Sequence, residues 1–402
     1  MCKVDRSRKV KHDLSTMGCL VAILLIARAL AARHATPPAQ HKTWASIAVL
    51  AARRARDGSG DAEVLVAMAT RGQRNFSPGG NVSFHCSDDG GRGWVAASPQ
   101  GDLRGEQFNT AHLVLRCPAS GYASAGRRGD LRVRCRRSPA RPPARGAPLD
   151  DDVADFVLDA PTAPPVASRL TSCLEPVYRP RRDAVDRFLR YYRAVGVERF
   201  VVWDGERALE AHLGDARDVA YHGWTFADVL RNSRARTAKG GPVGQHLAMA
   251  YCAFAYGGDA RMLLSVDLDE LVTCADLGTS RDLAAALDGA SAAAGDGNPC
   301  ACLLRWLYDG PLGGPELPGT VVARQMNRKC VVAPGQLEDA NFHRPACRGR
   351  RGVFQVDGGA CWINHYRDEA LSGKRPQDAI PLPGGPEARA DLAWAASLLT
   401  SS

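Results

Sequence analysis

Residues 262–266 read MLLSV, an unbroken apolar run that stops at three acids within four positions, Asp267, Asp269 and Glu270. Its length and abrupt end read as a buried strand. The chain upstream alternates between the two kinds of element. VASRLTSCLEP reads as a strand ending at Glu175-Pro176. A helix follows, with Val185, Phe188, Leu189 and Tyr192 at i, i+3, i+4 and i+7 and Gly196 as its stop. Next come the strand RFVVWD ending at Asp204, a short helix around Arg207–Leu213, the strand DVAYHG, and a helix over 243–256 closed by Gly257-Gly258. The next strand delivers Asp267. Four rounds of strand and helix predict an α/β domain whose mostly parallel sheet is built from βαβ units. Neither GxGxxG nor GxxxxGK[ST] occurs, which argues against a dehydrogenase or a P-loop enzyme.

Ligands of open α/β sheets sit beyond the carboxyl ends of the strands. Asp267 and Asp269 at such an end can hold a divalent ion, and hard oxygen ligands suit Mg²⁺ or Mn²⁺, which would neutralise a bound diphosphate. The competing reading is that these acids cap a helix that follows. Further on the sequence predicts a helix over 282–287, a Gly-rich loop over 289–297 and the strand CACLLRWLY. A Gly/Pro loop from Asp309 to Gly319 and the strands TVVARQ and KCVVAP come next, then FHRP (342–345) and CWINHYR (361–367). Asp309, Glu316, Glu338 and Asp339 lie on loops after the metal strand and are candidate general bases, one at most; each also reads as an ordinary solvated acid. His343 reads either as a metal or phosphate ligand or as a hydrogen-bonded strand-end residue. Trp203, Trp306 and Trp362 could stack on a bound ligand, with core packing the alternative for Trp203.

Charge is unevenly spread over the 402 residues. Residues 1–149 carry 24 Lys+Arg against 10 Asp+Glu, a balance of +14, and the remainder carries 28 against 33, a balance of −5. The cations are 45 Arg and only 7 Lys, with no stripe of Arg interleaved with aromatics, so a nucleic-acid partner is not expected. Of 13 cysteines, 11 lie from Cys86 onward and no CxxC pair exists, a pattern that favours scattered disulfides in a secretory lumen over a metal cluster. Residues 1–16 form a basic tail expected to be cytosolic. Residues 17–32 are an apolar signal-anchor whose Ala29-Leu30-Ala31 could alternatively be cleaved to release a secreted form. Short alternating runs over 45–135 predict a β-rich accessory module, which carries the sequon Asn81-Val82-Ser83 and could be stapled by Cys86, Cys117 and Cys135. The Pro-, Arg- and Asp-rich stretch 136–165 reads as a linker, 166–370 as the catalytic domain, and 371–402 as a tail without pattern.

The succession YYRAVGVERFVVWD, GQHLAMAYC, LLSVDLDELV, the Gly/Pro loop, FHRP and INHYR resembles glycosyltransferase family 92 across residues 166–370. The resemblance implies a GT-A fold (Rossmann-like, with helices on both faces of the sheet), a UDP-sugar donor with galactose favoured, a glycan or polysaccharide acceptor, Mn²⁺ or Mg²⁺, and inversion at the anomeric carbon. It also implies a Golgi membrane protein of single-pass type II topology. Asp267 and Asp269 fall on the family's Asp-x-Asp motif, where the second acid binds the metal and the first meets the donor. His365 falls on a histidine that supplies a further metal contact. Glu175, Asp204 and Gln245 fall on donor-binding positions. The chain departs from the family pattern at Asp368-Glu369-Ala370 and at Tyr308–Gly313, which bears on acceptor identity. Two other readings stand beside it: another metal-dependent nucleotide transferase, and a lumenal glycan-binding protein without activity.

Overall fold

The structure, a computed structural model, describes residues between 47 and 367, apart from internal stretches of which the longest are 70–81, 119–128, 138–150, 159–166, 224–244 and 310–320. The expected basic tail, the signal-anchor, Asn81 and the tail after 367 lie outside the described residues.

The alternating runs at the amino-terminal side are strands. They are β1 (Ile47–Arg54), β2 (Ala62–Ala69), β3 (Val82–Ser87), β4 (Val95–Ala96), β5 (Ser98–Pro99), β6 (Gly105–Gln107), β7 (Thr110–Cys117), β8 (Gly129–Arg137) and β9 (Asp151–Leu158). Two antiparallel sheets result, β1-β2-β7-β5 with β6 also on β7, and β4-β3-β8-β9. A disulfide between Cys86 on β3 and Cys117 on β7 ties one sheet to the other. The stretch 136–165 is therefore not linker throughout, because β9 pairs with β8 along its whole length. Its register sets Asp151 opposite Arg136 and Asp155 opposite Arg132.

The second part comprises β10 (Ser168–Leu174), α1 (Arg182–Ala194), β11 (Arg199–Trp203), α2 (Glu210–Leu213), β12 (Val219–His222), α3 (Gln245–Ala255), β13 (Ala260–Val266), β14 (Glu270–Cys274), α4 (Leu277–Ser280), α5 (Leu283–Ala293), β15 (Cys300–Asp309), β16 (Val321–Val332), β17 (Leu337–Asp339), β18 (Ala346–Cys347), β19 (Phe354–Gln355) and β20 (Cys361–Arg367). One curled sheet runs β12-β11-β10-β13-β16-β15-β20-β14, with β19 also on β15. It is mostly parallel; β16 and β14 run against the rest. Gly196 ends α1 as expected. Its φ of +87° is a left-handed conformation that glycine adopts without strain. There Gly196 N donates to Arg193 O and Val197 N to Tyr192 O, which satisfies the last carbonyls of the helix. Two expected strands, TVVARQ and KCVVAP, are one, β16, irregular where it faces β15. The expected loop at 289–297 begins later, because α5 continues through Gly289 to Ala293.

Two apolar clusters cover the sheet. One packs α1, α4 and α5 on a face that includes Leu264, Val266 and Leu271. The other surrounds α3, where every residue from Leu247 to Phe254 is buried. A helix apolar all round must be covered on both sides. Leu263 and Cys173 meet α3 from the large sheet, Cys173 through a disulfide to Cys252, and Leu50, Leu65, Ala67 and Val114 cover it from the β-rich module. Arg53 on β1 donates to the Phe254 carbonyl and lies over the Phe254 ring at 4.3 Å. The module and the α/β part thus share a core around α3.

A chain lacking residues 1–158 should therefore expose the outer face of α3 and aggregate. Light scattering and thermal circular dichroism of that truncation check this: turbidity with no cooperative transition is expected, and a monodisperse, cooperatively melting product would contradict the shared core.

Candidate active site

Strands β10, β11, β12 and β13 stand in the order 3-2-1-4 by appearance, and the connection reverses between β10 and β13. A crevice forms outside the carboxyl ends at such a switch point. Asp267 immediately follows Val266, the last residue of β13, which lies opposite Leu174, the last of β10. No helix follows the acids, which sets aside their reading as a helix cap. Asp267–Glu270 is instead a tight turn into β14, in which Glu270 N donates to Asp267 O at 3.1 Å and Asp267 N donates to Glu270 Oε2 at 2.9 Å.

The strands that return to this turn carry its partners. β20 pairs antiparallel with β14, so Glu270 lies opposite His365. His365 Nε2 is 3.1 Å from Asp269 Oδ2, and Tyr366 N donates to Asp269 O at 2.8 Å. Two residues 96 positions apart thus meet at the carboxyl end of the sheet. The Asp269 side chain is 44% exposed and that of His365 15%, so the pair opens to solvent from one side. From β16 comes Lys329, fully buried, with Nζ 3.0 Å from Asp267 Oδ2 and 3.7 Å from Glu270 Oε2. A buried cation needs partners of this kind. The sequence reading missed Lys329, because a lysine between Arg328 and Cys330 carries no motif and lysines are ordinarily at the surface.

β14 is the edge of the sheet, and α1 closes that edge with two tyrosines. The Tyr192 hydroxyl donates to Glu270 O at 3.0 Å and accepts from Val272 N at 3.1 Å, while Tyr191 donates to Val272 O at 2.7 Å. Burial, the nearby Tyr191 and the charges of Glu270 and Asp267 keep the Tyr192 hydroxyl protonated, well above the usual tyrosine range. The i+7 apolar position found in sequence is thus also a polar clamp on the acidic turn.

The other anticipated residues divide. Asp204 is fully buried, and its carboxylate accepts from Leu209 N at 2.8 Å, Glu206 N at 3.2 Å and the Tyr221 hydroxyl at 2.9 Å. These bonds shape the turn after β11 and give the carboxylate a structural task. Gln245 opens α3. Asp309 ends β15 opposite Arg367, two positions past the Leu307–His365 pair, hence at the same end of the sheet as Asp267. Glu338 and Asp339 lie at the opposite end. β16 runs against β13, with Val332 opposite Leu263, and the chain continues past it to Pro334, packed by Gly257 ahead of β13. The structure does not bring these two acids to Asp267. Trp203 and Trp362 are both core residues: Trp203 stacks on His222 at 5.2 Å, and Trp362 donates to Asn364 Oδ1 at 3.0 Å. Burial lowers the His222 pKa to about 3, so that ring is neutral. Glu175, Glu316 and His343 lie outside the described residues.

As a donor set, Asp269 and His365 offer one carboxylate and one imidazole. Their 3.1 Å separation suits two adjacent corners of an octahedron with bonds of about 2.1 Å, whose edge is about 3.0 Å. Among the described residues no group of three His, Cys, Asp or Glu gathers around one point, so this pair could fill part of a coordination shell that phosphate oxygens and water complete, as is usual for Mg²⁺. No protein-family model matches the chain, and no curated protein matches it.

Tyr192→Phe removes a hydroxyl that serves both Glu270 O and Val272 N, leaving buried backbone groups unsatisfied. Denaturant unfolding should show a loss of about 1–3 kcal/mol; a variant as stable as the parent would refute the clamp.

Proposed function

We propose that this chain is a metal-dependent glycosyltransferase of GT-A fold that moves a sugar, galactose favoured, from a UDP-sugar to a glycan or polysaccharide acceptor. One observation carries the reading: Asp269 and His365 meet at 3.1 Å beside the switch point of the sheet, where α/β proteins bind nucleotides. The resemblance to glycosyltransferase family 92 rests on those same two residues and on the motifs around them.

In this reading Asp269 and His365 hold Mn²⁺ or Mg²⁺. The ion would supply charge neutralisation for the departing UDP. Asp267, at the carboxyl end of β13, faces the donor, and the neighbouring ends of β10 and β11 border the nucleoside. A carboxylate must take the proton of the acceptor hydroxyl. Of the candidates, Asp309 shares the sheet end with His365. Inversion at the anomeric carbon is the expectation from the resemblance.

Five disulfides join described cysteines, Cys86–Cys117, Cys173–Cys252, Cys274–Cys361, Cys300–Cys347 and Cys302–Cys330. They fit a secreted or lumenal protein, and we assign the enzyme to the Golgi lumen, anchored through residues 17–32. No helix among the described residues is long and apolar enough to cross a membrane.

Purified enzyme should release UDP from one UDP-sugar of a panel when an acceptor glycan is present, and EDTA should abolish the release. Asp269→Asn and His365→Ala should each lower turnover by on the order of 10²–10³. Release unaffected by EDTA would overturn the metal. Nucleotide turnover without glycan product would favour the phosphotransferase reading. Glycan binding with no turnover of any UDP-sugar would favour the inactive binding protein.

A further inference from the structure

Three acids occupy four consecutive positions at the turn, yet they are not equivalent. Asp269 reaches outward to His365 and is 44% exposed. Asp267 and Glu270 turn toward Lys329, whose side chain is fully buried and whose Nζ lies 3.0 Å and 3.7 Å from their carboxylates. Glu270 is fully buried as well, and its Oε2 also accepts from Asp267 N. Two groups therefore stand side by side, an inner one of Lys329 with two carboxylates and an outer one of His365 with Asp269.

We propose that Lys329 is a resident counter-ion: by holding Asp267 and Glu270 it keeps Asp267 out of the metal shell, and so gives a physical cause for the division between the two aspartates that the resemblance already implies. This rests on the metal reading given above and divides the labour within it. The argument is electrostatic and steric. An ammonium 3.0 Å from Asp267 Oδ2 already neutralises that carboxylate, in surroundings where unlike charges attract strongly. A divalent ion on the same oxygen would have to approach the ammonium closely, with like charges opposed. His365 can exchange its hydrogen bond with Asp269 for an ion without such a cost, since an imidazole nitrogen is itself a metal ligand. Lys329 is thus a positioning residue. It fixes the turn through Asp267 and Glu270 and directs the ion to the outer pair.

The sequence also explains why Lys329 arrives accurately. Cys330, its neighbour, is bonded to Cys302 across the β15–β16 ladder, and Leu303 lies opposite Lys329 in that ladder. The chain cannot slip at this point without breaking a covalent link.

The test is Mn²⁺ binding to the full-length protein, measured by isothermal titration calorimetry and by the paramagnetic signal of free Mn²⁺, with folding checked by circular dichroism. Asp269→Asn and His365→Ala should each weaken Mn²⁺ binding at least tenfold. Asp267→Asn should change it less than threefold, because Asn can still accept from Lys329. Lys329→Met should bind Mn²⁺ more tightly than the parent, several-fold, because a neighbouring positive charge is gone and Asp267 is released. The double variant K329M/D267N should lose that gain. A lysine that merely fills space predicts no change in Mn²⁺ affinity for Lys329→Met. If Asp267→Asn is as damaging as Asp269→Asn, Asp267 is a direct ligand and the role given to Lys329 is overturned, and this comparison holds even if Lys329→Met fails to fold. A parent protein that binds no Mn²⁺, alone or with UDP, overturns the metal reading itself and is thereby distinguished from failure of the inference.

Discussion

The structure depends on neutralising an acidic turn. Three carboxylates within four residues cannot be held at the mouth of a crevice unless cations or hydrogen-bond donors meet them, since like charges about 4 Å apart repel by about 4 kcal/mol even at a partly screened effective dielectric. The carboxylates are met from two strands, Lys329 on β16 and His365 on β20, while the Tyr366 amide on β20 and the Tyr192 hydroxyl on α1 hold the backbone carbonyls of Asp269 and Glu270. The half of the sheet beyond β13 can be understood as the means of bringing those groups back to one place. β15 runs up to the end of the sheet that holds Asp267, antiparallel β16 comes back from that end between β15 and β13, and β20 finishes beside the short antiparallel β14 that the turn itself begins.

Covalent links secure this return. Cys302–Cys330 joins β15 to β16 next to Lys329, and Cys274–Cys361 joins β14 to β20 at the far end of the ladder that pairs Glu270 with His365. In the chain-entropy view a loop the length of the second, 87 residues, stabilises by about 4–5 kcal/mol. These bonds act on register as much as on stability. A one-residue slip would turn His365 away from Asp269. The Cys173–Cys252 bond does the same for α3, the helix on which the β-rich module and the large sheet both rest.

Local pattern made much of this legible. The apolar run ending at Asp267, the i, i+3, i+4, i+7 face of α1 and the glycine at 196 each report a short-range preference, and all hold in the structure. His365 was legible only through the resemblance, since no local rule links it to Asp269 across 96 residues. Lys329 was not legible at all, because its meaning lies in the strand opposite it. The same reason hid β14: LVTC is a strand only because β20 pairs with it. The placement of Glu338 and Asp339 away from Asp267 was not legible, because sequence order after the acidic strand says nothing about which end of an antiparallel sheet a segment occupies. The all-apolar α3 was the one neglected local clue, for a helix without a polar face announces a second covering layer, here supplied by β1, β2 and β7.

The central claim is that Asp269 and His365 are joint ligands of one ion at a nucleotide site. Anomalous diffraction from crystals grown with Mn²⁺ and UDP tests this most directly. The account predicts a single strong Mn peak within about 2.3 Å of an Asp269 carboxylate oxygen and of His365 Nε2, with the diphosphate of UDP completing the shell. A peak coordinated elsewhere, or ordered UDP with no metal between Asp269 and His365, would contradict it.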